Sequence, residues 1–163
     1  MPNEKDFYLG VYNGNTIICD YGLPFEFYSN EISEIEKRLI DYFPDSTIIA
    51  ITLMSTVTHY GFALIENGVK KRVKVGQEEM PVAFEMGEVT KEEIVFQKEN
   101  SKVNEEGIRL FKIQDGEYVF SEEFIGEEYV FEISKRIFGF KLNGVESDEL
   151  HSKTKIEKYK KCT

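Results

Sequence analysis

The chain contains two histidines, and histidine is the side chain whose ordinary pKa best suits acid-base chemistry near neutral pH. His59 follows a segment rich in hydroxyl side chains and precedes a tyrosine. A general base or a ligand-binding imidazole could therefore form there, with Ser55 and Tyr60 as polar neighbours. The alternative is a histidine at the start of a strand that makes one ordinary hydrogen bond, and we favour this alternative. His151 lies in a polar C-terminal segment and is expected to be inert.

The two cysteines do not indicate a disulfide framework. Cys19 lies among Ile17 and Ile18, which is typical of a cysteine that packs in a core, whereas Cys162 is the penultimate residue of a polar segment. Disulfide-dependent domains are usually small, secreted and rich in cysteine, so we expect no disulfide and a reducing cytoplasm. A nucleophile pair of Cys19 and His59 would require neighbouring strands, and we do not expect it.

Acidic residues outnumber basic ones, and the formal net charge is −10. Several glutamates are adjacent in sequence, but such neighbours point in different directions on a helix or a strand. They therefore do not form the facing carboxylates of glycoside or metal chemistry. We interpret the acids as a solvated surface. One stretch could also bind a basic partner by charge complementarity, through Glu78, Glu79, Glu85 and Glu88.

Motifs of familiar catalytic or binding chemistry are absent from the sequence. There is no Cys/His metal spacing, no glycine-rich phosphate loop and no Gly-x-Ser-x-Gly elbow, so we expect no metal and no cofactor, and we favour a non-catalytic protein over an enzyme. Lysine and arginine are scarce outside the C-terminal segment, which argues against nucleic acid binding by the folded part. The longest apolar run, at 48–53, is far short of the ~20 residues that span a bilayer. The N-terminus lacks signal-peptide character, so we expect neither membrane insertion nor secretion.

Strand and helix patterns are clear in the N-terminal half. Asn-Gly pairs at 13–14 and 67–68 predict two tight hairpin turns. Between the hairpins, four apolar residues recur at helical spacing up to Phe43, and Pro44 ends the run. The elements predicted for this half are strands at 7–12, 16–21, 47–53, 56–66 and 69–75 and a helix at 31–42.

The last of these strands carries alternating basic residues. Lys70, Arg72 and Lys74 share one face of it, whereas Val73 and Val75 lie on the other. We expect one solvent-exposed face and one mostly buried face. We interpret the basic strip as charged residues that keep an edge strand from pairing with another chain.

The middle of the chain is weakly patterned and rich in glutamate. For residues 76–106 we predict loops, with one short helix near 91–96. An Asp-Gly pair could join a further hairpin over 108–113 and 117–120.

A second main helix is predicted at 122–138, with acids early, bases late and Gly139 directly after it. The fold class that follows is α+β: a mainly antiparallel sheet of about five strands with two principal helices on one face. Residues 1–146 are expected to form a single domain. The polar, basic segment 147–163 is expected to be a disordered or loosely docked tail.

Several short segments occur in an order that resembles a known family. They are Leu23-Pro24-Phe25-Glu26, Phe43-Pro44, Ser55-Thr56-Val57 with Tyr60-Gly61-Phe62-Ala63, Asn67-Gly68, Met86-Gly87-Glu88 and the run from Ser134 to Phe140. The set covers residues 7–142 and resembles a group of uncharacterised bacterial proteins, a domain of unknown function. The resemblance implies a bacterial, cytoplasmic, single-domain protein and implies no activity.

Three hypotheses of function follow. The first is a non-catalytic protein-interaction domain, of the immunity or inhibitor type, that binds a basic protein partner. The second is a small-molecule-binding domain or an enzyme with a site around His59. The third is an assembly role for the hairpin over 56–75, and the sequence leaves the oligomeric state open.

Overall fold

The computed structural model describes residues 6–54, 56, 59–77, 80–112, 116–144 and 147–161. Helices and antiparallel strands are mixed along the chain, so the α+β class predicted from the sequence is confirmed. The elements follow in the order β1 (Asp6–Tyr12), β2 (Asn15–Asp20), a first 3-10 turn (Leu23–Phe27), α1 (Glu34–Tyr42), β3 (Thr47–Met54), β4 (His59–Glu66), β5 (Val69–Gln77), β6 (Met80–Gly87), α2 (Lys91–Asn100), β7 (Ser101–Val103), β8 (Arg109–Phe111), a second 3-10 turn (Glu122–Ile125), α3 (Gly126–Phe138), α4 (Ser147–Lys153) and β9 (Ile156–Lys160).

Both predicted Asn-Gly turns are confirmed. Asn13 and Gly14 have φ angles of 48° and 79°, and Asn67 and Gly68 have φ angles of 50° and 74°. Positive φ at both central residues is what the favoured two-residue hairpin turn requires. The first turn joins β1 to β2, and the second joins β4 to β5.

The largest sheet has four antiparallel strands in the order β3-β4-β5-β6. Its fourth strand, β6, falls within residues 76–106. The prediction of loops for this part of the chain is therefore wrong where β6 forms. A smaller sheet has the order β2-β1-β9, and β7 pairs with β8. The sequence also predicts a hairpin over 108–113 and 117–120. In the structure Phe111 forms an antiparallel bridge with Phe120, and residues 113–115 lie outside the described residues.

Hydrophobic side chains fill both faces of the four-stranded sheet. On one face, Tyr60 and Phe62 of β4 pack against α2 and α3. On the other face, Ala63 and Ile65 of β4 belong to a second core that includes Leu39 of α1 and residues of the first 3-10 turn. α2 and α3 therefore share one face, and α1 covers the other. The two helices predicted at 31–42 and 122–138 thus lie on opposite faces of the sheet rather than on one, because α1 and α3 pack on different cores.

The helix ends follow local rules that the sequence displays. Ser33 and Glu36 form a capping box at the start of α1, and Thr90 and Glu93 form one at the start of α2. Gly139 has a φ of 81° and ends α3 as predicted. No helix in the described part of the chain has the length and apolar character needed to cross a membrane.

The C-terminal segment 147–163, predicted to be disordered or loosely docked, contains α4 and β9, and β9 pairs with β1. Its lysines have acidic partners: Lys158 Nζ lies 2.7 Å from Asp6 Oδ2, and Lys161 Nζ lies 2.6 Å from Asp20 Oδ2. The prediction was based on the low content of apolar residues in this segment. β9 is held by backbone hydrogen bonds and ion pairs rather than by apolar burial, so its order does not depend on that content.

Candidate functional site

The residues predicted as a weak catalytic site do not converge. His59 and Tyr60 are consecutive residues of β4, so their side chains point to opposite faces of the sheet. Tyr60 is fully buried under α3, where a Cβ on Gly126 would lie only 1.8 Å from Tyr60 Cε1. Ser55 lies outside the described residues. His59 and Tyr60 therefore cannot act together on one substrate.

His59 is half-buried at the start of β4, with its ring 5.7 Å from the ring of Phe25. Its Nε2 atom is buried and has no hydrogen-bond partner among the described residues. Burial lowers the pKa of the His59 imidazole, so the ring is neutral at pH 7. A neutral ring with an unused nitrogen can exchange a hydrogen bond with a small polar ligand.

Cys19 is a free, half-buried cysteine of β2, and burial raises the pKa of its thiol. β2 and β4 belong to different sheets. The neighbouring-strand arrangement that a pair of Cys19 and His59 would need is therefore not formed.

The structure describes two of the four residues of the predicted acidic partner site. Glu78 and Glu79 lie outside the described residues, and Glu88 is exposed after the end of β6. Glu85 is engaged by the chain itself, because its carboxylate lies 2.8 Å from Arg72 Nη2 and 3.8 Å from Lys74 Nζ. Burial alone would raise the pKa of the Glu85 carboxyl. The hydrogen bond from Arg72 and the charge of Lys74 outweigh burial and hold this pKa below its ordinary value.

Arg72 of β5 is the centre of a buried ion-pair cluster that the sequence did not reveal. We define this cluster as Arg72, Lys74, Glu85, Glu93 and Glu122. The Arg72 side chain is 1% exposed and binds Glu93 twice, with Nη2–Oε1 at 2.7 Å and Nε–Oε2 at 3.1 Å. The same Glu93 carboxylate caps the N-terminus of α2. A planar bidentate pair of this kind fixes the start of α2 on the sheet.

Lys74 extends the cluster towards α3. Its Nζ forms an ion pair with Glu122 and lies 4.3 Å from the centroid of the Tyr129 ring. Burial first, and nearby carboxylates second, raise the pKa of the Tyr60 and Tyr129 hydroxyls, so both stay protonated. Each charged member of the cluster has an opposite charge within it, so the ion pairs hold together β5, β6, α2 and the second 3-10 turn.

The prediction that Lys70, Arg72 and Lys74 form one solvent-exposed strip is wrong, and a β-bulge is part of the reason. The register between β4 and β5 shifts and leaves Lys71 as an extra residue in β5. The bulge places Lys70 on the face opposite Arg72 and Lys74, and all three side chains are at most 4% exposed. β5 is also an internal strand of the sheet and needs no charged defence.

Lys70 ties β5 to the segment before α1. Its Nζ lies 2.6 Å from Glu36 Oε1 and donates to the carbonyl oxygens of Phe27, Ser29 and Glu31 at 3.0–3.2 Å. Glu36 is fully buried and also closes the capping box of α1. Four oxygen partners compensate the ammonium group for its removal from water.

A shallow open groove of about 370 Å³ lies between α2 and the β7–β8 pair, with Gln97, Lys98 and Arg109 in its lining. Gln97 is already engaged, since its Nε2 donates to the Tyr129 hydroxyl and its Oε1 accepts from Arg109 Nη1 at 2.7 Å. The side chains of Gln97 and Arg109 are therefore already occupied and are not available to orient a ligand in the groove. Among the described residues, no group of three or more His, Cys, Asp or Glu side chains could hold a metal ion.

Two exposed aromatic side chains stand at the C-terminal end of α1. Tyr42 is 78% exposed and Phe43 is 49% exposed. Asp41 and Asp45 are exposed beside them and form no ion pair within the described part of the chain. The backbone here is held in place, because the Ser46 N–H donates to the Phe43 carbonyl at 3.2 Å. We call Asp41, Tyr42, Phe43 and Asp45 the α1-end surface.

Sequence reasoning missed the α1-end surface because Phe43 continues the helical spacing that predicts burial. In the structure the helix ends at Tyr42, so Phe43 leaves the apolar face just before Pro44. The β4–β5 turn lies alongside, where the Asn67 N–H donates to Ser46 O at 3.4 Å. The sequence does show two bulky aromatic residues between Asp41 and Asp45, at the point where Pro44 ends the helix, and this pattern could have indicated the surface.

The chain matches the sequence model of a known protein family. The sequence model of DUF6928, described as a family of unknown function, matches residues 1–157. The chain belongs to the DUF6928 family. The predicted resemblance to a family of unknown function is thereby confirmed, and the match extends past residue 142 through α4 into β9. No curated protein and no solved structure matches the DUF6928 chain.

Proposed function

We propose that this DUF6928 protein is a non-catalytic interaction domain, of the immunity or inhibitor type, that binds a basic protein partner through the α1-end surface. The observation that carries the proposal is the exposure of Tyr42 and Phe43 beside Asp41 and Asp45, two exposed acids that pair with no cation among the described residues. Aromatic residues are enriched at protein interfaces, and flanking acids favour a partner of opposite charge. A bacterial cytoplasm as the setting is part of this proposal.

Acids that are already paired within the chain are poorer candidates for a partner site than those of the α1-end surface. Glu85 and Glu93 are bound within the ion-pair cluster, and the Glu92 carboxylate lies 2.7 Å from Arg136. Such acids would have to release an internal cation before they could bind a partner, whereas Asp41 and Asp45 are free to do so. The net charge of −10 would in addition steer a basic partner towards the chain.

The test compares two charge-matched variants in affinity capture from native lysate at low salt. The interface variant combines Asp41→Asn with Asp45→Asn. The control combines Glu105→Gln with Glu106→Gln, two exposed acids in the connection between β7 and β8. Because both variants lose two negative charges, a difference between them reports position rather than net charge.

The wild type and the control should retain the same basic protein, and the interface variant should retain about tenfold less, equivalent to ~1.4 kcal/mol of binding free energy. Isothermal titration calorimetry with that purified protein then gives the dissociation constants. Equal retention by all three chains, or the absence of any specific basic protein, would contradict the proposal.

A second candidate function is small-molecule binding, or catalysis, at His59. The buried Nε2 beside Phe25, which has no hydrogen-bond partner in the described part of the chain, favours it. The test is a metabolite-library screen by NMR with a label on the His59 ring. A ligand of this site should shift the His59 ring resonances in the wild type and lose affinity in the His59→Phe variant. A screen without such shifts would remove this candidate.

A further inference from the structure

β3 is an outer strand of the four-stranded sheet and lacks the features that normally block such an edge. Its eight residues include no charged residue and no proline, and within the described part of the chain it pairs only with β4. The other outer strand, β6, carries Pro81 and Glu85. In the smaller sheet, β2 ends in Asp20 and β9 carries Lys158 and Lys160. Proline and charge discourage the addition of a further strand, so β3 is the edge most open to one.

The register shows which backbone groups of β3 are unused. The Asn67 N–H donates to Ser46 O, which makes these residues a hydrogen-bonded pair in line with the β3–β4 register. Hydrogen-bonded pairs alternate along antiparallel strands, so the backbone groups of Ile48, Ala50 and Thr52 bond to β4. The backbone groups that point away from β4 are those of Thr47, Ile49, Ile51 and Leu53.

The apolar side chains of β3 are half-buried on both faces of the sheet. Ile49, Ile51 and Leu53 pack on the core beneath α3, and Ile48 packs on the opposite core. On the neighbouring strand β4, by contrast, Phe62 is fully buried. A further strand beside β3 would cover these side chains as β5 covers those of β4.

We propose that β3 is the docking strand for an extended segment of the basic partner. The segment adds to the sheet edge through an uncharged stretch and places a lysine or arginine against Asp41 and Asp45. This inference rests on the proposed function and specifies how the partner is held. Ser46 alone separates Asp45 from β3, so this acid, which has no ion pair within the described residues, lies at one end of the edge strand. Main-chain hydrogen bonds along the edge provide affinity, and the terminal charges fix direction.

The same charges disfavour a second copy of the chain as the occupant. Parallel pairing of two β3 strands would bring the Asp45 residues of both copies together, and like charges in register repel. In an antiparallel pair Asp45 would face the far end of the other β3 strand, near Leu53, and β3 contains no cation to meet this acid. Each copy also carries a net charge of −10, which opposes association.

Amide hydrogen exchange followed by NMR on the full chain tests the docking strand. The probes are short peptides of alternating threonine and valine with two lysines at the N-terminal or the C-terminal end, which covers both strand directions. Matched peptides carry glutamates in place of the lysines. At saturation with a lysine peptide, exchange at Ile49 and Ile51 should slow by about tenfold or more. The amides of Ile48 and Ala50, already bonded to β4, are internal references and should change little.

The inference is overturned if no lysine peptide protects Ile49 and Ile51, or if the glutamate peptides protect them equally. Protection that rises with protein concentration and doubles the molar mass without peptide would make a second copy the occupant, which also overturns it. The Asp41→Asn/Asp45→Asn variant should keep its fold and lose its preference for lysine peptides. If a basic partner is captured through these aspartates while the β3 amides stay unprotected in that complex, the proposed function stands and this inference fails.

Discussion

Arg72 shows how a cation is accommodated inside this sheet. It is the largest of the fully buried side chains, and burying a guanidinium costs several kcal/mol unless partners replace water. Besides its two carboxylates, it donates to the carbonyl oxygens of Met86 and Gly87 at 3.4 and 3.3 Å. Burial alone would lower the pKa of the Arg72 guanidinium, but the hydrogen bonds to Glu93 and Glu85 outweigh burial and raise it. The side chain therefore keeps its charge.

Replacing this cation tests the energetic role of the cluster. Arg72→Met leaves Glu93 buried and unpaired, so we expect the free energy of unfolding to fall by about 3–5 kcal/mol in urea denaturation at pH 7. Arg38→Met is the matched control, since Arg38 and Glu34 are 67% and 72% exposed and such pairs contribute about 0–1 kcal/mol. If both variants lost the same free energy of unfolding, the buried cluster would contribute no more to stability than an exposed ion pair does.

His59 gives a prediction about pH. Burial lowers the pKa of its imidazole, so the folded chain binds fewer protons at this position than the unfolded chain does. The stability that this neutral ring contributes is present above its unfolded pKa of about 6.5 and is lost as the pH falls below that value. NMR titration of His59 should therefore give a midpoint below 6.5. A midpoint at or above 6.5 would mean that the ring is not desolvated.

At the scale of elements, the two capping boxes do more than begin helices. Glu36 of α1 pairs with Lys70, and Glu93 of α2 pairs with Arg72. Both cations come from β5, and the β-bulge at Lys71 directs them to opposite faces of the sheet. Each helix is thus anchored to the same central strand by the carboxylate that caps it.

The contact between α3 and β4 depends on the absence of a side chain at Gly126. A Cβ there would overlap the ring of Tyr60, so Gly126→Ala should displace α3 and lower the free energy of unfolding by about 3 kcal/mol. Gly22→Ala is the control, because Gly22 has a φ of −107° and its nearest neighbour to a Cβ lies at 3.9 Å. The control should stay within about 0.5 kcal/mol of the wild type. Equal unfolding midpoints in urea would contradict the close contact.

At the scale of the whole molecule, β9 joins the two ends of the chain into one sheet. It pairs with β1 from Asp6↔Lys160 to Gly10↔Ile156, and the ring of Phe7 stacks on that of Tyr159 at 5.3 Å. The small sheet is tied to α3, because the Asn15 side chain donates to the carbonyl of Ile137 at 3.0 Å. The C-terminal segment therefore has a role in holding this sheet together.

Removing the last strand tests this role. Deletion of residues 155–163 exposes β1 and leaves Asp6 and Asp20 without their lysines, so we expect the melting temperature to fall by about 5 °C or more. The control Lys158→Gln/Lys161→Gln removes the ion pairs and keeps the strand, and its effect should be smaller. An unchanged melting temperature after the deletion would show that the segment is not docked in solution.

The sequence by itself determined the features that depend on residues close together in the chain. The Asn-Gly turns, the apolar strand β3 and the glycine that ends α3 were all predictable, because local backbone preference and periodicity decide them. The α+β class followed from the same patterns. Of the candidate site, the sequence supplied His59, an acidic surplus and a candidate partner site at 78–88. The exposure on which the proposal for Asp41 and Asp45 rests is visible only in the structure.

Only the tertiary structure decided which charges are buried and which aromatics are exposed. The burial of Arg72 and Lys74 depends on Glu93 and Glu122, which lie 21 and 48 residues further along the chain. The order of β9 depends on pairing with a strand at the opposite end of the sequence. Whether a polar side chain faces water or a partner depends on groups brought together by folding, since burial is stable only where an opposite charge or a hydrogen-bond partner replaces water.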